Sequence, residues 1–260
     1  MANEKPKALV VLTMQRSGSN YFTSRTNHCG KMGHAREWLD RSLNNQFASI
    51  EESLEFIKRE GTTSEGVFGL VLMAPQLIRF QKRFKIDFMN YLTKTYDPTF
   101  VLLERRDKLA QAISFSKAIQ SRSWAGDMPA ERPVSFNYRQ IVWALFHLEK
   151  GMGFWRSYLT AKALPYYHCY YEDISSQDTA FEEIAQLICP KKNIEFPESN
   201  LVVQRDQVSQ EWTRRFLEKS KDDNFLPMLN VNAQSRIKRS VKNLYNFLRR
   251  KPIQIRKSYF

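Results

Sequence analysis

Residues 8–13, ALVVLT, form a short β-branched apolar run that stops at Gln15-Arg16-Ser17-Gly18-Ser19-Asn20 and resumes as the helical pattern YFTSRTNHCG. A strand that turns through small residues into a helix opens a βα unit, and this start constrains the fold more than any other stretch. Ser17 or Ser19 is placed to cap the helix. Two further apolar runs, 67–72 and 100–104, are each followed by a helical pattern, and 165–171 is a fourth strand candidate ending at Glu172-Asp173. Segments 75–95 and 137–160 carry helical periodicity rich in aromatics. Such alternation predicts an α/β fold, a single domain with a central parallel sheet flanked by helices.

The 260 residues suit one main domain, 1–223, followed by a basic tail, 224–260. Lys and Arg outnumber Asp and Glu by 40 to 27, a surplus that calls for anionic partners. After Asp223 there is no acidic residue, while Arg236, Lys238, Arg239, Lys242, Arg249, Arg250, Lys251, Arg256 and Lys257 add nine positive charges. Most of the basicity therefore belongs to the tail. There Ile237, Val241, Leu244 and Leu248 recur at helical spacing until Pro252, the pattern of a basic amphipathic helix. It suits a solvated helix packed on the domain or a contact with an anionic membrane or polyanionic acceptor. No nucleic-acid-binding motif accompanies it, so no nucleic-acid partner is expected.

No run approaches the roughly 20 apolar residues needed to span a bilayer, and the start lacks a secretory h-region. The expected location is the cytoplasm, membrane-peripheral if the tail binds lipid. Cys29, Cys169 and Cys189 are widely spaced with no CxxC pair, which argues against a disulfide framework and a zinc site.

The turn after the first strand presents backbone N–H groups and the positive end of a helix, with Arg16 and the short donors Ser17, Ser19 and Asn20 beside them. The arrangement suits an anion site, and equally an ordinary strand-to-helix turn with capping serines. The GxxxxGK[ST] spacing of nucleotide triphosphatases is absent, which disfavours magnesium-nucleotide chemistry.

QRSGSNY at this place resembles the 5′-phosphosulfate loop of sulfotransferases that use 3′-phosphoadenosine 5′-phosphosulfate (PAPS). GHAREW at 33–38, FGLVLM at 68–73, LLERRDKLAQAISFSKA at 102–118, YYEDI at 170–174 and QRDQVSQEWTRRF at 204–216 resemble, in the same order, the bacterial trehalose 2-sulfotransferase and nodulation-type lipooligosaccharide sulfotransferase family. The resemblance implies a P-loop-like sulfotransferase fold with PAPS at the carboxyl ends of the strands. It implies that Arg16, Ser17, Gly18, Ser19 and Asn20 cradle the 5′-phosphosulfate. Arg106 and Ser114 stand where similar proteins hold the 3′-phosphate, with Arg105 as the alternative arginine.

By the same resemblance Glu37 is the general base, and His34 is its rival. A carboxylate of ordinary pKa, about 4.3, is a weak base, so burial beside Trp38 that raised it would help. Arg16 would stabilise the leaving side, and no metal is called for. Two positions depart from the family: Ala35 where relatives often have Pro, and Val71 where many have Lys, a cation that Lys108 or Lys117 would have to replace. Glu172-Asp173 reads as a structural turn.

The implied activity is sulfuryl transfer to a hydroxyl of a carbohydrate or glycolipid by in-line displacement. The alternatives are a non-sugar alcohol or lipid acceptor, and a non-catalytic nucleotide- or polyanion-binding module. Of the tryptophans, Trp124 in the loop after the PAPS helix suits acceptor contact, while Trp143, Trp155 and Trp212 suit the core; Gln204, Arg205 and Trp212 are further candidates for nucleotide contact. Acceptor specificity is expected in loops 39–66 and 119–137, and a second copy of the chain in a homo-oligomer is a further expected partner.

Overall fold

A computed structural model describes residues 4–45, 47–124, 128–190, 194–197 and 207–222. The βα start is present as β1 (Lys7–Thr13) and α1 (Ser19–His28). The chain continues through α2 (Trp38–Asn44), α3 (Ile50–Gly61), β2 (Phe68–Met73), α4 (Ala74–Phe84), α5 (Phe88–Thr95), β3 (Asp97–Glu104) and α6 (Lys108–Ser121). It then forms α7 (Tyr138–Ala161), β4 (Tyr166–Tyr170), α8 (Tyr171–Ile174), α9 (Thr179–Ile188) and α10 (Gln207–Asp222).

The four strands are all parallel, in the order β2-β1-β3-β4, with Val10 opposite both Leu70 and Phe100. A parallel sheet needs crossovers that cover both faces, and its inner strands then read as unbroken apolar runs. On one face Leu9, Val11, Val101 and Leu103 pack with Phe22 of α1 and Phe181 and Ile184 of α9. The alternate residues Ala8, Val10 and Leu12 are equally buried, so the other face is covered too. The chain divides into two compact units, residues 1–213 and 214–260. Of the second unit only 214–222 is described, and the basic tail, 224–260, lies outside the described residues.

Segment 39–66 differs from the loop expected there. It folds into α2 and α3, the latter capped by Ser49 Oγ, which accepts from the Glu52 N–H at 3.1 Å while Glu52 Oε2 accepts from the Ala48 N–H. That is close to a reciprocal capping box. Among the described residues no helix is long and apolar enough to cross a membrane.

Candidate active site

Because every strand is parallel, the carboxyl ends of all four lie on one edge of the sheet. The chain leaves β1 toward β2 on one side and returns to β3 on the other, so a switch point lies between the ends of β1 and β3, where open α/β sheets bind ligands. The loop after β1 turns there through Arg16 at φ 60° and Gly18 at φ 91°. Gly18 is required twice over, by its left-handed backbone and because a Cβ would stand 2.1 Å from Cδ2 of Tyr171, the first residue after β4.

The serines of this loop do not cap α1. The N-cap is Gly18, with no side-chain bond, and the first turn carries no acidic residue. Ser17 is fully buried, its hydroxyl turned to Thr13; Thr13 Oγ1 donates to the Leu103 carbonyl at 2.7 Å, which leaves Ser17 as the donor between the two hydroxyls. Ser17 thus ties the loop to the end of β1, and Thr13 carries the link on to β3. The first N–H groups of α1 are left to an anion rather than to a side chain.

Arg16 donates through Nε to Ser114 Oγ of α6 at 2.8 Å and through Nη1 to the Trp124 carbonyl at 2.7 Å. Burial, then the neighbouring charge of Arg105, lower its pKa, yet a guanidinium starts so high that it stays charged at neutral pH. Arg105, the first residue after β3, donates to the Arg16 carbonyl at 3.4 Å and lies over the Tyr171 ring at 5.5 Å. Arg106 turns the other way: Nη2 donates to Asp173 at 2.7 Å and the guanidinium covers the Tyr170 ring at 4.1 Å. Ser114 is therefore brought to Arg16, and the Arg106 side chain to Asp173.

Glu172 and Asp173 have the structural part expected of them. The Glu172 carboxylate accepts the backbone N–H groups of Arg106 at 3.0 Å and Asp107 at 3.2 Å, and Asp107 caps α6 through the Ala110 N–H at 2.9 Å. Burial pushes the Glu172 carboxyl up, but these two N–H groups, its own backbone N–H and the charge of Arg105 together hold it below the usual carboxylate range.

At the start of β2 the geometry is set by a pair of glycines, from which the 33–37 segment runs alongside the strand toward its carboxyl end. A Cβ on Gly33, at φ 84°, would stand 2.4 Å from the Gly69 nitrogen, and one on Gly69 would stand 2.6 Å from the Ala35 nitrogen. Backbone meets backbone here, closed by the Val71 N–H donating to the Arg36 carbonyl at 2.9 Å. Asn27 of α1 clasps Ala35, accepting from its N–H at 2.9 Å and donating to its carbonyl at 3.1 Å. A proline at 35 has no N–H to give, so this half of the clasp exists because the residue is Ala.

The segment delivers Glu37 to the N-cap of α2, where Nε2 of Gln76 from α4 donates to its Oε2. Burial raises the Glu37 carboxyl most; the Gln76 bond opposes that, Asp40 adds to it, and Arg41 and Arg79 pull it down. The result is a pKa above its ordinary value. His34 is exposed, and its backbone is engaged: the N–H donates to the Gly61 carbonyl at 2.9 Å and the carbonyl accepts from Trp38 Nε1 at 2.7 Å. Val71 is buried in the sheet core, so β2 brings no cation. Lys108 is bound to Glu104 and Glu149 at 3.1 Å, and Lys117 donates to Ser209 at 3.0 Å. Arg16 and Arg105 are the guanidiniums that meet at the loop after β1.

Residues 8–219 match the model of the Stf0 sulphotransferase family. The chain belongs to that family. A curated relative, trehalose 2-sulfotransferase of Mycolicibacterium smegmatis, is 24% identical over 265 residues, covering 82% of this chain and 96% of the relative. The protein is thus a sulfotransferase, and the family match spans β1 to α10 and ends before the basic tail.

Within this Stf0 sulphotransferase the tryptophans divide differently from the sequence reading. Trp155 is fully buried, donating through Nε1 to the Thr13 carbonyl at 3.1 Å, and Trp212 is 4% exposed. Trp124 is 44% exposed, beside Phe115. Trp143 is not a core residue: it is 50% exposed and stacks on His147 and Phe115, extending the aromatic surface next to Arg16. Gln204 and Arg205 lie outside the described residues. Among the described residues no group of His, Cys, Asp and Glu is arranged to hold a metal. Gln76, Asn27 and Thr13 carry no motif of their own, and sequence reading gave no role to them or to Tyr171 of the YYEDI segment.

Proposed function

We propose that the protein transfers a sulfuryl group from PAPS to a hydroxyl of a carbohydrate or glycolipid, with Glu37 as general base. The observation that carries the reading is the pairing, on one sheet edge, of an uncapped helix N-terminus flanked by Arg16 and Arg105 with a carboxylate whose pKa is raised by burial. The residues present suit PAPS. Gly18 keeps the backbone of the loop open, α1 offers free N–H groups with no acid in its first turn, and two guanidiniums stand beside them.

When bound, PAPS supplies the sulfuryl group, and adenosine 3′,5′-bisphosphate departs. The chain supplies the rest. Arg16, Ser19, Asn20 and the amides around Gly18 hold the 5′ end and balance charge on the bridging oxygen. Glu37, ionised, takes the proton of the acceptor hydroxyl as the oxygen attacks in line with the leaving phosphate. Ser114 and Arg106 take the 3′-phosphate, for which Arg106 exchanges Asp173 for the stronger charge of a phosphate dianion. A second reading gives that role to Arg105, which already lies against the loop. Trp124, with Trp143 beside it, offers apolar faces on which a sugar can stack, and His34 stands at the entry of the Glu37 segment. An acceptor sugar such as the one in the relative's name, trehalose, fits this surface. The basic tail adds attraction to an anionic membrane holding a lipid-linked acceptor.

The test is transfer of radiolabelled sulfate from PAPS to trehalose, other disaccharides, glycolipids and simple alcohols, with Arg105→Ala and Arg106→Ala run for binding of adenosine 3′,5′-bisphosphate. Labelled sugar supports the reading. Label only on non-sugar alcohols moves the acceptor class, and weaker binding in Arg105→Ala alone selects the second arginine. Removing residues 232–260 should weaken binding to anionic liposomes in a salt-dependent way and leave turnover of a soluble acceptor intact.

A further inference from the structure

Gln76 is only 4% exposed, and its two amide atoms have opposite fates. Nε2 donates to Glu37 Oε2, while Oε1 is buried without a hydrogen-bond partner. The cause is chemical. An ionised carboxylate only accepts, so the amide must turn its N–H2 edge toward Glu37, and its carbonyl oxygen then faces a place that offers no donor. A buried carbonyl left unpaired destabilises the fold, and an apolar side chain of the same length would avoid the loss. A polar residue held against local stability marks a functional demand.

We propose that Gln76 is a positioning residue for the base: its amide fixes the orientation of the Glu37 carboxylate and favours its ionised form. The proposal rests on the reading of Glu37 as the general base. Three charged groups face that carboxyl, Asp40 and Arg41 from α2 and Arg79 from α4. Asp40 and Arg79 are themselves an ion pair, so their influences on Glu37 oppose each other. Gln76 is the contact that touches the carboxylate directly, and after burial it has the largest influence on it. Burial alone would leave Glu37 protonated over a wider pH range and unable to accept a proton. The amide restores the basic form without placing a full positive charge beside it, which would make the carboxylate a weaker base still.

The experiment is a pH titration of the Glu37 carboxyl by carbon-13 NMR in full-length protein labelled at glutamate, the resonance being assigned by its loss in Glu37→Gln. Gln76→Met removes the donor at nearly constant volume. It should raise the Glu37 pKa and move the acid limb of kcat/KM upward by the same interval. Gln76→Asn, which keeps the amide and withdraws it by one methylene, should move both in the same direction by less. A Glu37 pKa unchanged in both variants, or a melting temperature that falls while the titration stays put, would overturn the proposal and leave Gln76 a packing residue. Sulfuryl transfer that survives Glu37→Gln would instead sink the assignment of the base, while the NMR titration still reports on the contact.

Discussion

The two ends of the site are built from opposite materials. At the ends of β1 and β3, guanidiniums and backbone N–H groups meet around Gly18; at the end of β2, a carboxylate meets a carboxamide. Burial works on both in the same sense, toward neutrality, lowering the Arg16 pKa and raising that of Glu37. The outcomes differ because the starting points differ. A guanidinium lies so far above neutral pH that it remains a fixed charge, whereas a carboxyl is moved from a weak base toward a useful one. One kind of environment thus yields a permanent electrostatic clamp on one side and a titratable group on the other.

The comparison breaks most sharply if the two sides are not separable. Glu37→Gln should lower kcat by on the order of 10²–10⁴-fold while binding of adenosine 3′,5′-bisphosphate, measured by calorimetry, stays at the parent value. Arg16→Ala should do both, lowering kcat by about 10²–10³-fold and weakening the bisphosphate; a variant that binds normally would remove Arg16 from the clamp. Gly18→Ala forces a Cβ against Tyr171 at a left-handed backbone position, for a stability loss of about 1–3 kcal/mol. Denaturant midpoints would check this, and an unchanged midpoint would mean that the loop is softer than its packing suggests.

The smallest effect is the sharpest in sign. Glu37 is active when ionised, so its working form is lost as pH falls through its raised pKa. The parent kcat/KM should therefore rise with pH through an acid limb lying above the ordinary carboxylate range. A limb within that range would place the base elsewhere.

The strands were legible because a buried parallel strand is a continuous apolar run, and β1 to β4 each lie within two or three residues of their expected spans. The helices within 39–66 were missed although Ser49 and Glu52 carry a readable capping pattern, since no long apolar periodicity surrounds them. Trp143 was misplaced for a geometric reason. A helix of 24 residues is about 36 Å long, and a strand of seven about 23 Å, so α7 outruns the sheet. Trp155 already meets Thr13 at the strand's end, and the turns before it extend beyond the sheet edge. Arg106 and Ser114 were picked out by the resemblance to the family, but where their side chains go depends on Asp173 and Arg16, distant in the chain. Gln76 was invisible for the same reason, its partner lying 39 residues away.

The central claim is that both halves of the site act in one reaction, and the most direct measurement is radiolabelled sulfate transfer from PAPS to trehalose and a panel of glycolipids by the parent protein and Glu37→Gln. The account predicts a labelled sugar with the parent and its loss with Glu37→Gln at unchanged bisphosphate affinity. Equal label from both proteins would contradict it, as would a parent that binds adenosine 3′,5′-bisphosphate tightly and labels no hydroxyl.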